Sequence, residues 1–294
     1  MKKGRPRILV VFLHGLGDNI MATPAIRALR KKYPEAYIAI MGLKTLPVRD
    51  IWENNPYIDE YFESSFSYNP RWWNPLLFQL VDKKKIIREI KILKKEKRFD
   101  KVFVVTLQNR RLHKIDRIAK ELGVKLITRN YRLFLKIPTK TAREFIKKNK
   151  IKGKIIAIHR VSSHYKRSWK FKEAERFINL IKNKDKNINF FIFNSLKSFK
   201  EEERREGRHL SGKKIYNINT FSLKSAIALF SLCDYFVGID GFFQHIASAY
   251  KIPSIVITKR TLPQVDRNIA PNNIEIFGNG KAETILNRLK MLIK

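Results

Sequence analysis

The sequence predicts an α/β protein built from two doubly wound halves. Short apolar strands alternate with helical stretches from residue 8 onward, through a helix that ends at Lys150, and the pattern restarts at 155. A length of 294 residues suits two domains, each of roughly 150 residues. Such an alternation argues for parallel βαβ units joined by right-handed crossovers.

In the first half the pattern predicts strand 8–13, helix 22–33 beginning near Thr23-Pro24, strand 36–41, helix 45–53, strand 101–106 and helix 112–121. A polar helix from Thr141 to Lys150 closes a first domain over residues 1–150. The second half, 151–280, predicts strand 155–159, helix 172–183, strand 189–194, a charged stretch 198–208, helix 222–232, strand 235–238, helix 243–250 and strand 253–257. A helix over 281–293 closes the chain, within a terminal segment 281–294. Two such halves place a ligand crevice beyond the carboxyl ends of their strands. Residues 61–80 interrupt the regularity with Tyr61, Phe62, Phe66, Tyr68, Trp72, Trp73 and Phe78. A helix over 83–98, dense in Lys and Arg, follows; its Ile86, Ile87, Ile90 and Leu93 fall at helical spacing. That pattern suits docking at an anionic membrane surface, but for a single helix the favoured reading is a stripe packed on the sheet with its lysines in water.

Composition narrows the class. Hydrophobic content is 44%, ample for globular cores. No apolar run approaches the ~18 residues needed to span a bilayer, so the expected location is the cytoplasm. The single cysteine, Cys233, sits in an apolar run and reads as a buried structural thiol. The formal net charge of +36, from 62 Lys and Arg against 26 Asp and Glu, attracts phosphates, anionic lipid or nucleic acid.

The first strand runs into His14-Gly15-Leu16-Gly17-Asp18-Asn19. Two glycines let a ligand approach the main chain, and an acid at a helix mouth can be held ionised beside a bound substrate. Asp18 reads equally as a helix cap. Ile20 occupies the third glycine position of a dinucleotide fingerprint, and Gly-Lys-Ser/Thr is absent, so the nicotinamide and P-loop readings lose ground.

The run from Gly17-Asp18-Asn19 through Thr23-Pro24-Ala25-Ile26-Arg27 to Tyr33-Pro34 resembles the start of the lipopolysaccharide heptosyltransferases, glycosyltransferase family 9. Asp234-Tyr235-Phe236-Val237-Gly238-Ile239-Asp240, followed by His245-Ile246-Ala247-Ser248-Ala249, looks like the family's donor-site block. Thr106-Leu107-Gln108-Asn109-Arg110 and Lys166-Arg167-Ser168-Trp169 fall where the family has its middle segments. The resemblance implies the GT-B arrangement, two facing Rossmann-like domains with parallel sheets and an interdomain cleft. It also implies an inverting transfer of heptose, or a related sugar, from ADP-heptose to a phosphorylated lipopolysaccharide acceptor. Asp18 would act as general base, and Lys166 and Arg167 would neutralise the leaving diphosphate. Gly15, Gly17, Asp240, Gly241 and His245 would bind the donor, and Asn19, Asn109 and Arg110 the acceptor. No cofactor or metal is expected beyond the nucleotide sugar, since no Asp-x-Asp pair is present.

The chain departs from the family where Arg167 stands in place of the usual lysine. It departs again where Gly241-Phe242-Phe243 follows Asp240 instead of a hydroxyl and glycine, and where Thr258-Lys259-Arg260-Thr261-Leu262-Pro263 lacks a Gly-Pro turn. Expected partners are the nucleotide sugar, an anionic glycolipid and an anionic membrane surface at its cytoplasmic face. Two rivals remain: a nucleic-acid-binding protein, against which stands the lack of any RNP1, KH, zinc-finger or helix-turn-helix pattern, and a GT-B glycolipid binder that has lost catalysis.

Overall fold

The computed structural model describes residues 5–65, 83–107, 112–126, 131–162, 165–194, 200, 203–259 and 273–292. Phe66, Tyr68, Trp72, Trp73, Phe78, Asn109, Arg110 and the 260–263 segment lie outside them. Backbone contacts divide the chain into two compact units between Lys136 and Ile137.

The first unit is a parallel sheet of β1 (Arg7–Val11), β2 (Tyr37–Leu43), β3 (Glu60–Ser64) and β4 (Lys101–Val104), in the order β3-β2-β1-β4. Helices α1 (Leu16–Lys32), α2 (Arg49–Trp52), α3 (Lys83–Glu96) and α4 (Lys114–Glu121) accompany it. The strands β1 and β2 are almost continuously buried, which explains their unbroken apolar runs: a parallel strand covered on both faces has no polar side. Ile90 and Leu93 of α3 pack against Leu9, Val11, Ala39, Met41 and Phe99, while Ile87 and Ile92 stay 43% and 45% exposed.

The second unit is a six-stranded parallel sheet ordered β10-β9-β8-β5-β6-β7. Its strands are β5 (Ile155–His159), β6 (Asn189–Ile192), β7 (Ile215–Asn217), β8 (Tyr235–Ile239), β9 (Ser254–Thr258) and β10 (Asn273–Phe277). Its helices are α5 (Lys140–Lys148), α6 (Phe171–Lys184), α7 (Leu223–Phe230), α8 (Phe242–Tyr250) and α9 (Ala282–Leu292). One core cluster joins Trp169, Phe177, Ile181 and Phe190 to Ile285 and Leu289 of the last helix.

Four differences from the sequence reading have physical causes. The division falls at 136/137 and not at 150, because Phe145 of α5 packs its ring on Phe191, Tyr216 and Phe221 of the second unit. The terminal helix is part of the same unit, packed on α6 and β9. Strands β3, β7 and β10 were missed; all three are sheet edges, where short, polar-flecked sequences blunt unwanted pairing and weaken the strand signal. Helix α1 begins at Leu16, with Gly15 as its N-cap, so Gly17 lies in the first turn and Pro24 inside the helix. Proline leaves the carbonyl four residues back without its donor. Thr23 Oγ1 donates to that Ile20 carbonyl at 2.7 Å and itself accepts from Phe134 N at 2.9 Å.

Candidate functional site

In the first unit the strand order reverses at β1, with β2 and β3 on one side and β4 on the other. The crevice outside the carboxyl ends of β1 and β4 is therefore the expected ligand position. The two ends are tied where His14 Nε2 meets the Val105 carbonyl at 2.8 Å. Asp18 stands in the first turn of α1, where the helix dipole favours a carboxylate. Lys114 Nζ, at the first position of α4, donates to Asp18 Oδ1 at 2.7 Å. Both side chains keep about a quarter of their surface exposed, 23% for Lys114 and 27% for Asp18. The pair is thus shielded yet reachable.

Asn19 has a different role from the one its position suggests. It is fully buried; its Nδ2 donates to the carbonyls of His14 and Gly15, each at 2.9 Å, and its Oδ1 accepts from Trp52 Nε1 at 2.8 Å. Its amide is bonded within the turn that presents Asp18, whereas the sequence reading assigned Asn19 to acceptor binding. Gly15 and Gly17 lie in this same turn, in the first unit.

The second unit reverses its strand order at β5, between β6 and β8. His159 is the last residue of β5, and Arg160, Asp240 and Gly241 follow the carboxyl ends of β5 and β8. Gly241 is the N-cap of α8, which has no side-chain cap hydrogen bond. His245 lies farther along that helix and is 8% exposed. His159 packs its ring on Phe243, 4.8 Å between centroids. Part of the residue stays accessible, but Nδ1 is enclosed, and burial lowers the ring's pKa to about 4, outweighing a backbone hydrogen bond with Val161 that raises it. The imidazole is therefore neutral at physiological pH.

The segment carrying Lys166 and Arg167 is pinned from several sides. Trp169 N donates to the Arg160 carbonyl and Arg160 Nη1 donates to the Trp169 carbonyl, both at 2.9 Å. Ser162 N donates to Ser168 Oγ at 2.9 Å. Trp169 Nε1 donates to the Gly280 carbonyl at 2.7 Å. Lys259, just past β9, donates to the Ser168 carbonyl at 2.6 Å and more weakly to that of Lys166 at 3.5 Å. Burial lowers the Lys259 pKa, with the cations Lys170 and Arg160 adding to the effect. Lys166 remains exposed and Arg167 half-buried. Cys233 is 6% exposed, and burial pushes its thiol pKa well up, as a structural cysteine requires.

Each unit's candidate site lies at the strand reversal of a parallel sheet, and the fold is matched by known proteins. The family model for glycosyltransferase family 9 (heptosyltransferase) matches residues 93–290. The chain belongs to glycosyltransferase family 9. The family 9 enzyme from Veillonella parvula DSM 2008 has a similar structure, with a TM-score of 0.77 at 16% identity over 100% of this chain and 98% of that one. The E. coli ADP-heptose lps heptosyltransferase II gives 0.75 at 14% identity, covering 98% of each chain. E. coli heptosyltransferase WaaC with ADP-2-deoxy-2-fluoro heptose gives 0.65 at 13% identity, over 97% of this chain and 99% of that one. A search of curated protein sequences returned no match. The fold is that of the GT-B glycosyltransferases, and this family 9 protein is a glycosyltransferase.

Sequence reasoning missed Lys114, His159, Arg160 and Lys259. Lysine is so abundant here that Lys114 and Lys259 carried no signal of their own. His159 ends and Arg160 directly follows a predicted strand, at the end where α/β sheets bind ligands, and that position alone was a usable clue.

Proposed function

We propose that this enzyme transfers heptose from ADP-heptose to a phosphorylated lipid A-core acceptor with inversion, using Asp18 as general base. The observation that carries the reading is the Asp18 carboxylate, set in the first turn of α1 at a strand-order reversal and held by Lys114 at 2.7 Å. In one displacement, Asp18 takes the proton of an acceptor hydroxyl while that oxygen attacks the anomeric carbon and ADP leaves. A positioned base of this kind contributes typically 10²–10⁴-fold. Charge building on the departing diphosphate is met by Lys166, Arg167 and the N-terminus of α8 at Gly241; an arginine can grip phosphate oxygens in a bidentate way. The presence of an ADP-sugar analogue on the similar WaaC supports the choice of donor.

For the acceptor's location we infer an anionic membrane surface. Helix α3 exposes Ile87 and Ile92 among the exposed cations Lys84, Lys85, Arg88, Lys91, Lys94 and Lys95, and each cation near such a surface adds about 1 kcal/mol. No helix among the described residues is long and apolar enough to cross a membrane. Sedimentation with phosphatidylglycerol vesicles that drops on Ile87→Glu/Ile92→Glu substitution supports this face; unchanged sedimentation rejects it.

Calorimetric titration with ADP-heptose, paired with turnover on a de-O-acylated lipid A-core acceptor, tests the transfer. Asp18→Asn is expected to bind ADP-heptose as the parent does and to lose at least about 10²-fold in turnover. Lost donor affinity with intact turnover would remove Asp18 from the base role.

A further inference from the structure

We propose that Lys114 is a positioning residue that orients the Asp18 carboxylate for proton abstraction, an inference that rests on the base reading of Asp18. The two residues are separated by 96 positions and come together because β1 and β4 are neighbours whose carboxyl ends feed α1 and α4. Their side chains are only 23% and 27% exposed, so solvent screens the 2.7 Å contact less than it would an open surface pair.

Three features separate this pair from incidental surface charge. A cation at the first position of a helix opposes the helix dipole, at a cost of about 0.3–1 kcal/mol, so Lys114 is placed against local preference. Helix α4 does not need Lys114 to start. His113 caps it by accepting from Ile115 N at 3.3 Å, and Ile115 and Ile118 anchor it in the core. The chain leaving β4 is held by other groups: the Glu121 carboxylate accepts from Thr106 N at 2.5 Å and from Leu107 N at 2.9 Å, keeping Leu107 in its left-handed conformation at φ 57°. With cap, anchor and loop all supplied elsewhere, the work left to Lys114 is on Asp18.

That work is orientation. Anchoring Oδ1 removes rotamer freedom from a base that must lie within hydrogen-bond reach of a sugar hydroxyl, and a displacement of about 1 Å in such a group costs on the order of 10²-fold. Lys114 touches neither reacting atom in this scheme; it acts through Asp18.

The test compares Lys114→Met, Lys114→Arg, Asp18→Asn and the double variant Asp18→Asn/Lys114→Met. Each is assayed with ADP-heptose and the de-O-acylated acceptor, with ADP-heptose affinity read by calorimetry. Lys114→Met should lower kcat about 10- to 100-fold, with the acceptor KM and the donor Kd within about twofold of the parent. Lys114→Arg should recover most of the loss, and the double variant should be no slower than Asp18→Asn alone. Undiminished kcat in Lys114→Met overturns the proposal. So does a raised acceptor KM with kcat maintained, which would make Lys114 a direct acceptor contact. Should the methionine variant not fold, Lys114→Gln gives the same readout. Full turnover in Asp18→Asn would instead remove the base assignment, a failure distinct from that of Lys114.

Discussion

Replacing Asn19 by alanine separates a structural role from a ligand-binding one. The substitution deletes three hydrogen bonds, at 2.9, 2.9 and 2.8 Å. The two donated to carbonyls are worth about 1 kcal/mol net each. It also strands Trp52 Nε1 in a residue that is 1% exposed, and a buried donor without a partner costs about 1–3 kcal/mol. The expected loss is about 4 kcal/mol, reduced where the turn can relax. For a unit of this size, at about 3 °C per kcal/mol, the first unit's melting transition falls by about 10 °C. Asn19→Asp is the informative partner: its carboxylate still accepts from Trp52 but points an oxygen at two carbonyls 2.9 Å away, so it should destabilise as much or more. Urea unfolding and calorimetry at one pH measure both. A cost under about 1 kcal/mol for Asn19→Ala, with a raised acceptor KM, would refute the reasoning and return Asn19 to acceptor binding.

Other expectations follow from the same geometry. His159 has its folded pKa lowered from 6.5 to about 4, so between those values the unfolded chain takes up a proton that the folded chain refuses. Stability is fully present above about pH 6.5 and falls as pH drops towards 4, by up to about 3 kcal/mol; His159→Phe should flatten that part of a stability–pH curve measured by urea unfolding. Lys259→Met removes a charged donor from the Ser168 carbonyl, and ADP affinity should weaken about tenfold by calorimetry, since hydrogen bonds to charged groups are worth about 1.5–3 kcal/mol; undiminished affinity would show that Lys259 does not hold the segment in its binding form. A Cβ at Gly238 would lie 2.6 Å from the His159 carbonyl and as close to the Phe236 ring, so Gly238→Ala should cost about 1–3 kcal/mol, with ADP binding weakened as the ends of β5 and β8 part.

The alternation of buried strands and amphipathic helices was legible because parallel strands covered on both faces leave an uninterrupted apolar signature, as in Ile8-Leu9-Val10-Val11 and Ile155-Ile156-Ala157-Ile158. The edge strands were not, because an edge is held by one neighbour and its residues answer partly to water; Glu60-Tyr61-Phe62-Glu63-Ser64 reads as loop until β2 is beside it. Asp18 was legible from its glycine turn, since local geometry and chemistry coincide there. The start of α1 was not, because the Ile20 carbonyl that Pro24 leaves without its donor is met by the Thr23 hydroxyl, which in turn accepts from Phe134, far along the chain.

The sequence by itself determined the fold class and the family, both of which depend on periodicity and short contiguous motifs. Only the tertiary structure decided that Asn19 is spent on the turn and that Lys114 meets Asp18. It also decided that Lys259 holds the Lys166–Arg167 segment and that Phe145 assigns α5 to the second unit. Those outcomes join residues tens of positions apart. Which partner a lysine or an amide finds is set by strand order and helix placement, and these have no local trace in a chain where lysine is everywhere.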